Sequence, residues 1–346
     1  MLITAVNAED NFQIIFSMRM KIKISPLILA ALINFGCGRE LPTEDNTSDF
    51  PVSIPEGVRI YKAHDGEIGI EWIKFKETNL KGFNIYRSIN NKIKFELYRF
   101  TPDNFFLDDS LEYDSTYNYK ITSVSVSGKE SGYSATVGAK PVNLYNPSPT
   151  FRLKVIAHNW RSKPNVNLFW EPSYDSDVGF YEVYRDTINS FSQSSDNLAG
   201  TIRSNTFIDS SGLSILKRYY YKIITVDKGG LKSRPSAEQS DIILDPPKAV
   251  YPPEGEILAS KFHFVIVTCG AKADYKIIIQ SNQLFDITDQ INFSSDRISD
   301  TLSINYYPGN LERYKTYYWR AAAYTNSTED ANCFSELKSF TIIPGN

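Results

Sequence analysis

The chain has 346 residues, 42% of them hydrophobic and 22% charged, with a net charge of −3. This is the composition of a folded globular protein, not of a disordered one. Without a basic surplus, a nucleic-acid partner is excluded. Aromatic residues reach 14%, mostly Tyr and Phe, which favours strands. Cysteines number three, an odd count that needs an explanation.

Residues 1–17 fit no targeting pattern, because Glu9 and Asp10 interrupt an apolar stretch. They read as an upstream extension, with Met18 or Met20 as the natural start. Residues 18–37 read MRMKIKISPLILAALINFGC. Arg19, Lys21 and Lys23 precede a short apolar run over 24–36, too short to span a bilayer and suited to a secretory core. The run ends at Gly36-Cys37, and the chain then turns acidic at Glu40, Glu44, Asp45 and Asp49.

A basic start, a short apolar core and a small residue before a cysteine resemble a bacterial lipoprotein signal. The resemblance implies that Cys37 carries lipid and that the chain meets a membrane through that lipid. Asn34 and Phe35 stand where that family prefers Leu and a small residue. Cleavage by an ordinary signal peptidase and an uncleaved anchor are the alternatives. Gly38 follows the cysteine in place of the Asp that retains lipoproteins in the inner membrane, so the implied address is the bacterial cell envelope, at the outer membrane. Residues 1–36 are thus a signal and upstream segment, and 37–50 a lipidated cysteine with a polar, flexible tether.

Beyond the tether the chain repeats itself. LEYDSTYNYK at 111–120, LSILKRYYYK at 213–222 and LERYKTYYWR at 311–320 share Leu, five residues, Tyr, one residue, an aromatic and a cation. The copies lie roughly 100 residues apart. The first two units share more. Trp72 and Trp170 each close an alternating run, the period-2 mark of a half-buried strand. Gly82-Phe-Asn-Ile-Tyr-Arg87 parallels Gly179-Phe-Tyr-Glu-Val-Tyr-Arg185, and Phe106-Leu-Asp108 parallels Phe207-Ile-Asp209. Short strands between Gly, Asn, Asp, Ser and Pro turns, with no helical period, predict all-β sandwiches.

These units resemble fibronectin type III domains. The resemblance implies three tandem antiparallel β-sandwiches, placed at 51–142, 148–246 and 248–346. It implies a buried second-strand Trp at Trp72 and Trp170, and tyrosine corners at Leu111/Tyr117, Leu213/Tyr219 and Leu311/Tyr317. The third unit diverges: it lacks the second-strand Trp, and Trp319 offers itself as the replacement anchor. In such a sandwich Cys269 and Cys333 fall in loops at the same end. The expectation is a disulfide between them, outside a reducing cytosol, with two buried free thiols as the alternative. Lys140-Pro141 to Pro149, and Asp245-Pro-Pro247 with Pro252-Pro253, predict short stiff linkers.

Little in the sequence points to catalysis. His64, His158 and His263 fall one per unit, with no second ligand at metal spacing. No nucleophile elbow, Walker loop or dinucleotide fingerprint occurs. Asp108-Asp109 with Glu112 and Asp114, and Asp175-Ser-Asp177, read as turn chemistry or as a weak calcium or sugar-contacting site. No metal and no cofactor is expected. Trp160, Tyr174, Tyr306 and Tyr307, in or near turns, are the candidate ligand-contacting aromatics. The reading is a non-catalytic envelope lipoprotein displaying sandwiches for binding, adhesion or scaffolding toward a protein or glycan ligand. A carbohydrate-binding lipoprotein of a glycan-uptake system is the alternative, and an enzyme the remote one.

Overall fold

The computed structural model describes residues 51–73, 76–90, 92–259, 261–282, 287–307, 309, 311–326 and 329–343. The signal, Cys37 and the tether lie outside the described residues. Among those described, no helix is long and apolar enough to cross a membrane.

The first sandwich contains β1 (Arg59–His64), β2 (Glu67–Glu71), β3 (Leu80–Ile89), β4 (Glu96–Thr101), β5 (Phe105–Asp108), β6 (Tyr117–Ser125) and β7 (Val137–Ala139). One sheet runs β1-β2-β5 and the other β4-β3-β6-β7. The second contains β8 (Phe151–Trp160), β9 (Lys163–Glu171), β10 (Val178–Asp186), β11 (Leu198–Ile202), β12 (Thr206–Asp209), β13 (Arg218–Asp227) and β14 (Gln239–Ile242). Its sheets, β8-β9-β12 and β11-β10-β13-β14, repeat the first pair in order.

The third contains β15 (Lys248–Tyr251), β16 (Glu256–Leu258), β17 (Phe262–Val267), β18 (Ala273–Gln280), β19 (Ile287–Ser295), β20 (Thr301–Tyr306), β21 (Thr316–Tyr324), β22 (Cys333–Phe334) and β23 (Lys338–Ile342). Its sheets are β15-β17-β20 and β16-β23-β21-β18-β19, with β22 beside β21. The fold is therefore three tandem sandwiches, as the repeats predicted, with the named strands antiparallel except for β16, which pairs parallel with β23. The third gains a strand where its first edge strand splits at Pro252-Pro253, because proline cannot donate to a ladder.

Each core is built from the inward residues of both sheets. Trp72 and Trp170 are buried and meet Phe83 and Tyr181 edge to face, at centroid distances of 5.0 and 5.4 Å. All three tyrosine corners form. The hydroxyls of Tyr117, Tyr219 and Tyr317 accept from the backbone N–H of Glu112, Ser214 and Glu312 at 3.0, 2.8 and 2.7 Å. The ring fills the core while the hydroxyl satisfies an N–H that no ladder reaches.

The parallel Arg and Asp positions of the first two units meet in the interior. The Arg87 guanidinium donates to both oxygens of Asp108 at 3.1 and 2.9 Å, and Tyr119 Oη donates to the same carboxylate at 2.6 Å. Arg185 and Tyr221 hold Asp209 in the same way, at 2.7 and 2.8 Å. Burial, and then the adjacent carboxylate, push the Tyr119 and Tyr221 phenols far above their ordinary range, so both remain donors. Among the described residues the third sandwich has no such triad: fully buried Trp319 occupies the position of Tyr119 and Tyr221, 4.8 Å from Phe264.

Two expectations are corrected here. Cys269 and Cys333 are separate buried thiols in this structure, with no bridge between them. Each sulfur has its own contacts: Cys269 Sγ lies 3.2 Å from the Ala271 carbonyl and 2.9 Å from Tyr275 Oη, and Cys333 Sγ lies 3.8 Å from the Asp245 carbonyl. Burial pushes both thiols up, which disfavours the reactive thiolate. Tyr306 is not a surface aromatic. It points inward at the end of β20 against Phe262 and Phe264, donating to Asp289 at 2.6 Å, while its neighbour Tyr307 is exposed, as strand alternation requires.

Candidate functional site: the groove between the second and third sandwiches

The junctions between sandwiches are fixed by hydrogen bonds. At the first, Tyr113 donates to Asp177, Lys228 Nζ donates to the Ser110 carbonyl and to Glu112, and Asn143 donates to Asp227. Asp65 Oδ1 accepts from the linker N–H groups of Leu144 and Tyr145. Gly66 has φ +68°, and a Cβ there would lie 2.6 Å from that of Asp177, so only glycine fits. The carboxylates at 175 and 177 are thus engaged by this junction, Asp175 accepting from the linker N–H of Ser148 at 2.6 Å.

The second junction starts from a strand edge. β8 pairs with β9 on one side only, leaving alternate N–H and C=O groups open on the other. Asn332, from the third sandwich, closes that edge. Its backbone carbonyl accepts from Asn159 N at 2.8 Å, and its side-chain Nδ2 donates to the Ala157 carbonyl at 2.6 Å and to Asp241 Oδ2 at 3.0 Å. Asp241 also accepts from Ala157 N at 2.8 Å. Asn332 Oδ1 accepts from Thr325 N at 2.6 Å, so every polar group of this buried asparagine is used.

His158 lies in the same interface, buried, with Nδ1 3.2 Å from the Ala331 carbonyl. Burial lowers its pKa from the ordinary 6.5, against the partial opposition of that carbonyl and of Asp330 and Asp241. A histidine with a lowered folded pKa contributes stability that is complete above the unfolded value and declines as pH falls through and below 6.5. Unfolding midpoints of the full chain should therefore drop between neutral and mildly acidic pH. His158→Asn should flatten that dependence, and equal slopes in the two proteins would contradict it.

Beside this junction opens a groove of 1360 Å³. One rim is the β8–β9 hairpin, where Trp160 pairs with Lys163 across Arg161-Ser162. Both turn residues have positive φ, +55° and +57°, the conformation a two-residue hairpin demands and usually fills with Asn-Gly. Asp245-Pro246-Pro247, the start of β15 and Phe334 to Lys338 also line the groove. Trp160 is 45% exposed, while its Nε1 donates to the Ala331 carbonyl at 3.1 Å. His158 lies 4.5 Å behind the ring and Phe334 6.3 Å from it. The Arg320 guanidinium stacks over Phe334 at 4.2 Å. Gln280, 1% exposed, lies at the groove with no hydrogen-bond partner for its Nε2.

Of the four aromatic candidates, only Trp160 reaches this groove. Tyr174 is exposed beside Phe151, at 6.2 Å, and Tyr307 lies near the Lys261 ammonium, at 5.7 Å. Sequence reasoning missed His158, Asn159, Gln280 and Asn332. The polar run HNWRSKPN around Trp160 was the available signal, because an edge strand rich in polar residues needs partners elsewhere.

No family model matches the chain, and no curated protein matches it. Among solved structures it is similar to the FN1–FN3 domains of chicken CNTN1, at 12% identity and a TM-score of 0.37, over 84% of this chain and 98% of that one. It is also similar to an Fn3-like protein from Clostridium thermocellum, at 24% identity and a TM-score of 0.24, over 28% of this chain and 92% of that one.

Proposed function

We propose that the protein is a non-catalytic, lipid-anchored protein of a bacterial envelope, held at the outer membrane through Cys37, whose sandwiches serve binding or scaffolding. The observation that supports the binding part of this reading is the groove, a large concave surface beside a junction made of buried hydrogen bonds, while the anchored part rests on the signal-like sequence before Cys37. The non-catalytic part is supported by where the buried acids are spent. Asp108 and Asp209 serve Arg and Tyr partners, and neither lines the groove. Metabolic labelling with a palmitate analogue should mark the wild-type chain and not Cys37→Ala. An unlabelled wild type would overturn the anchored reading.

A further inference from the structure

The groove beside Trp160 has the chemistry of a sugar site. Three of the four tryptophans are buried, at 3%, 2% and 0% exposure, and Trp160 alone is half open. Its one polar atom is spent on Ala331, and His158 backs the ring, so what remains for a ligand is a fixed apolar face. Phe334, capped by the planar Arg320 group, lies 6.3 Å from the Trp160 ring and is tilted 42° to it. Around it, Arg161, Lys248, Arg320 and Lys338 stand against Asp245, Asp330 and Glu336, four cations to three anions, so a polyanion or polycation gains little. Carboxylates accept from hydroxyls, and guanidinium, ammonium and amide groups donate to them. The buried Gln280 amide adds a donor left without a partner.

A peptide is disfavoured. Strand addition needs a regular open ladder, and the groove's edge strand β15 follows two prolines and carries a bulge between Ala249 and Tyr251. The groove, at 1360 Å³, leaves room for a ligand of several units. We infer that this groove binds a neutral oligosaccharide, one ring stacked on Trp160 and its hydroxyls held by the mixed charges of the rim. The inference rests on the groove being the binding surface, and deepens that reading.

Because the other tryptophans are buried, acrylamide quenching of the full chain reports Trp160. The probes are the hexasaccharides of cellulose, xylan, mannan, chitin and starch, with a proline-rich dodecapeptide as the contrast. At least one hexasaccharide should shield Trp160 saturably. By calorimetry, Trp160→Ala should weaken it about tenfold or more, while Trp160→Phe, which keeps a ring but cannot bond Ala331, stays within about threefold of wild type. Both variants should keep the wild-type unfolding midpoint to within a few degrees. If no hexasaccharide shields Trp160, or if binding survives Trp160→Ala undiminished, the proposal is overturned. Shielding by the peptide alone would overturn the sugar assignment and leave the groove as a binding surface. The palmitate experiment is independent of every one of these outcomes.

Discussion

Asp209→Ala is expected to destabilise the second sandwich by about 3–5 kcal/mol, because it removes one member of a buried charge pair and strands the rest. The carboxylate is nearly inaccessible and accepts from Arg185 and from Tyr221 at 2.7 and 2.8 Å. Without it, the guanidinium keeps its bond to the Ser211 carbonyl but loses its counter-charge, and the Tyr221 hydroxyl has no acceptor in an apolar core. Asp108→Ala should do the same to the first sandwich, through Arg87 and Tyr119. Asp209→Asn keeps the shape and one acceptor, and should lose less than half as much. Urea unfolding of the full chain, followed by calorimetry, provides the check, and a loss under about 1 kcal/mol for Asp209→Ala would show the triad to be energetically idle.

The third sandwich indicates what the triad is not for. There Trp319 stands opposite Ile279, where the first two sandwiches set Tyr119 opposite Arg87 and Tyr221 opposite Arg185, and the tyrosine corner still forms. Replacing Arg185, Asp209 and Tyr221 together by apolar residues of matching volume should therefore be close to neutral, since a hydrophobic set avoids the desolvation that a buried pair must offset. The single and the triple variants have opposite expected outcomes, so the pair of measurements separates a stabilising interaction from one that is merely costly to break.

The second large effect is expected at Asn332. Asn332→Leu should weaken the junction of the second and third sandwiches by about 3–4 kcal/mol, from one charge-assisted hydrogen bond lost to Asp241 and from the Ala157 carbonyl and Thr325 N–H left buried without partners. Asn332→Asp should be at least as damaging, since it sets a second carboxylate beside Asp241. Adding Asp241→Asn should recover part of that loss, because the pair then holds one charge. Amide exchange at Asn159, whose N–H donates to the Asn332 carbonyl, reads the junction directly. Unchanged protection at Asn159 in Asn332→Leu would mean that the two sandwiches are held together elsewhere.

How much was legible in the chain follows from the range of each interaction. The repeated Leu-to-Tyr motif is local: five residues separate the hydroxyl from the N–H it caps, so three matching strings are enough to announce three corners. Alternation along β20 is equally local, and it requires that one of Tyr306 and Tyr307 face inward, but it does not by itself say which. The Arg87 and Asp108 positions were visible as parallels between repeats, but not as partners, because 21 residues and a sheet crossing separate them. The cysteines illustrate the same limit: a place in two neighbouring loops does not by itself make a bridge of two thiols.

The sequence by itself determined the β class, the repeat length, the corners and the signal-like start, because each rests on periodicity or on spacing within one hairpin. Only the tertiary structure decided that Trp160 faces a groove, that Asn332 closes the open edge of β8 from 175 residues away in the chain, and that His158 is buried between sandwiches. Those outcomes depend on how one folded sandwich docks on the next. Docking is settled by complementary edges and unsatisfied backbone groups; a polar edge such as HNWRSKPN announces that a partner is needed, but which residue supplies it is fixed only when both sandwiches have folded.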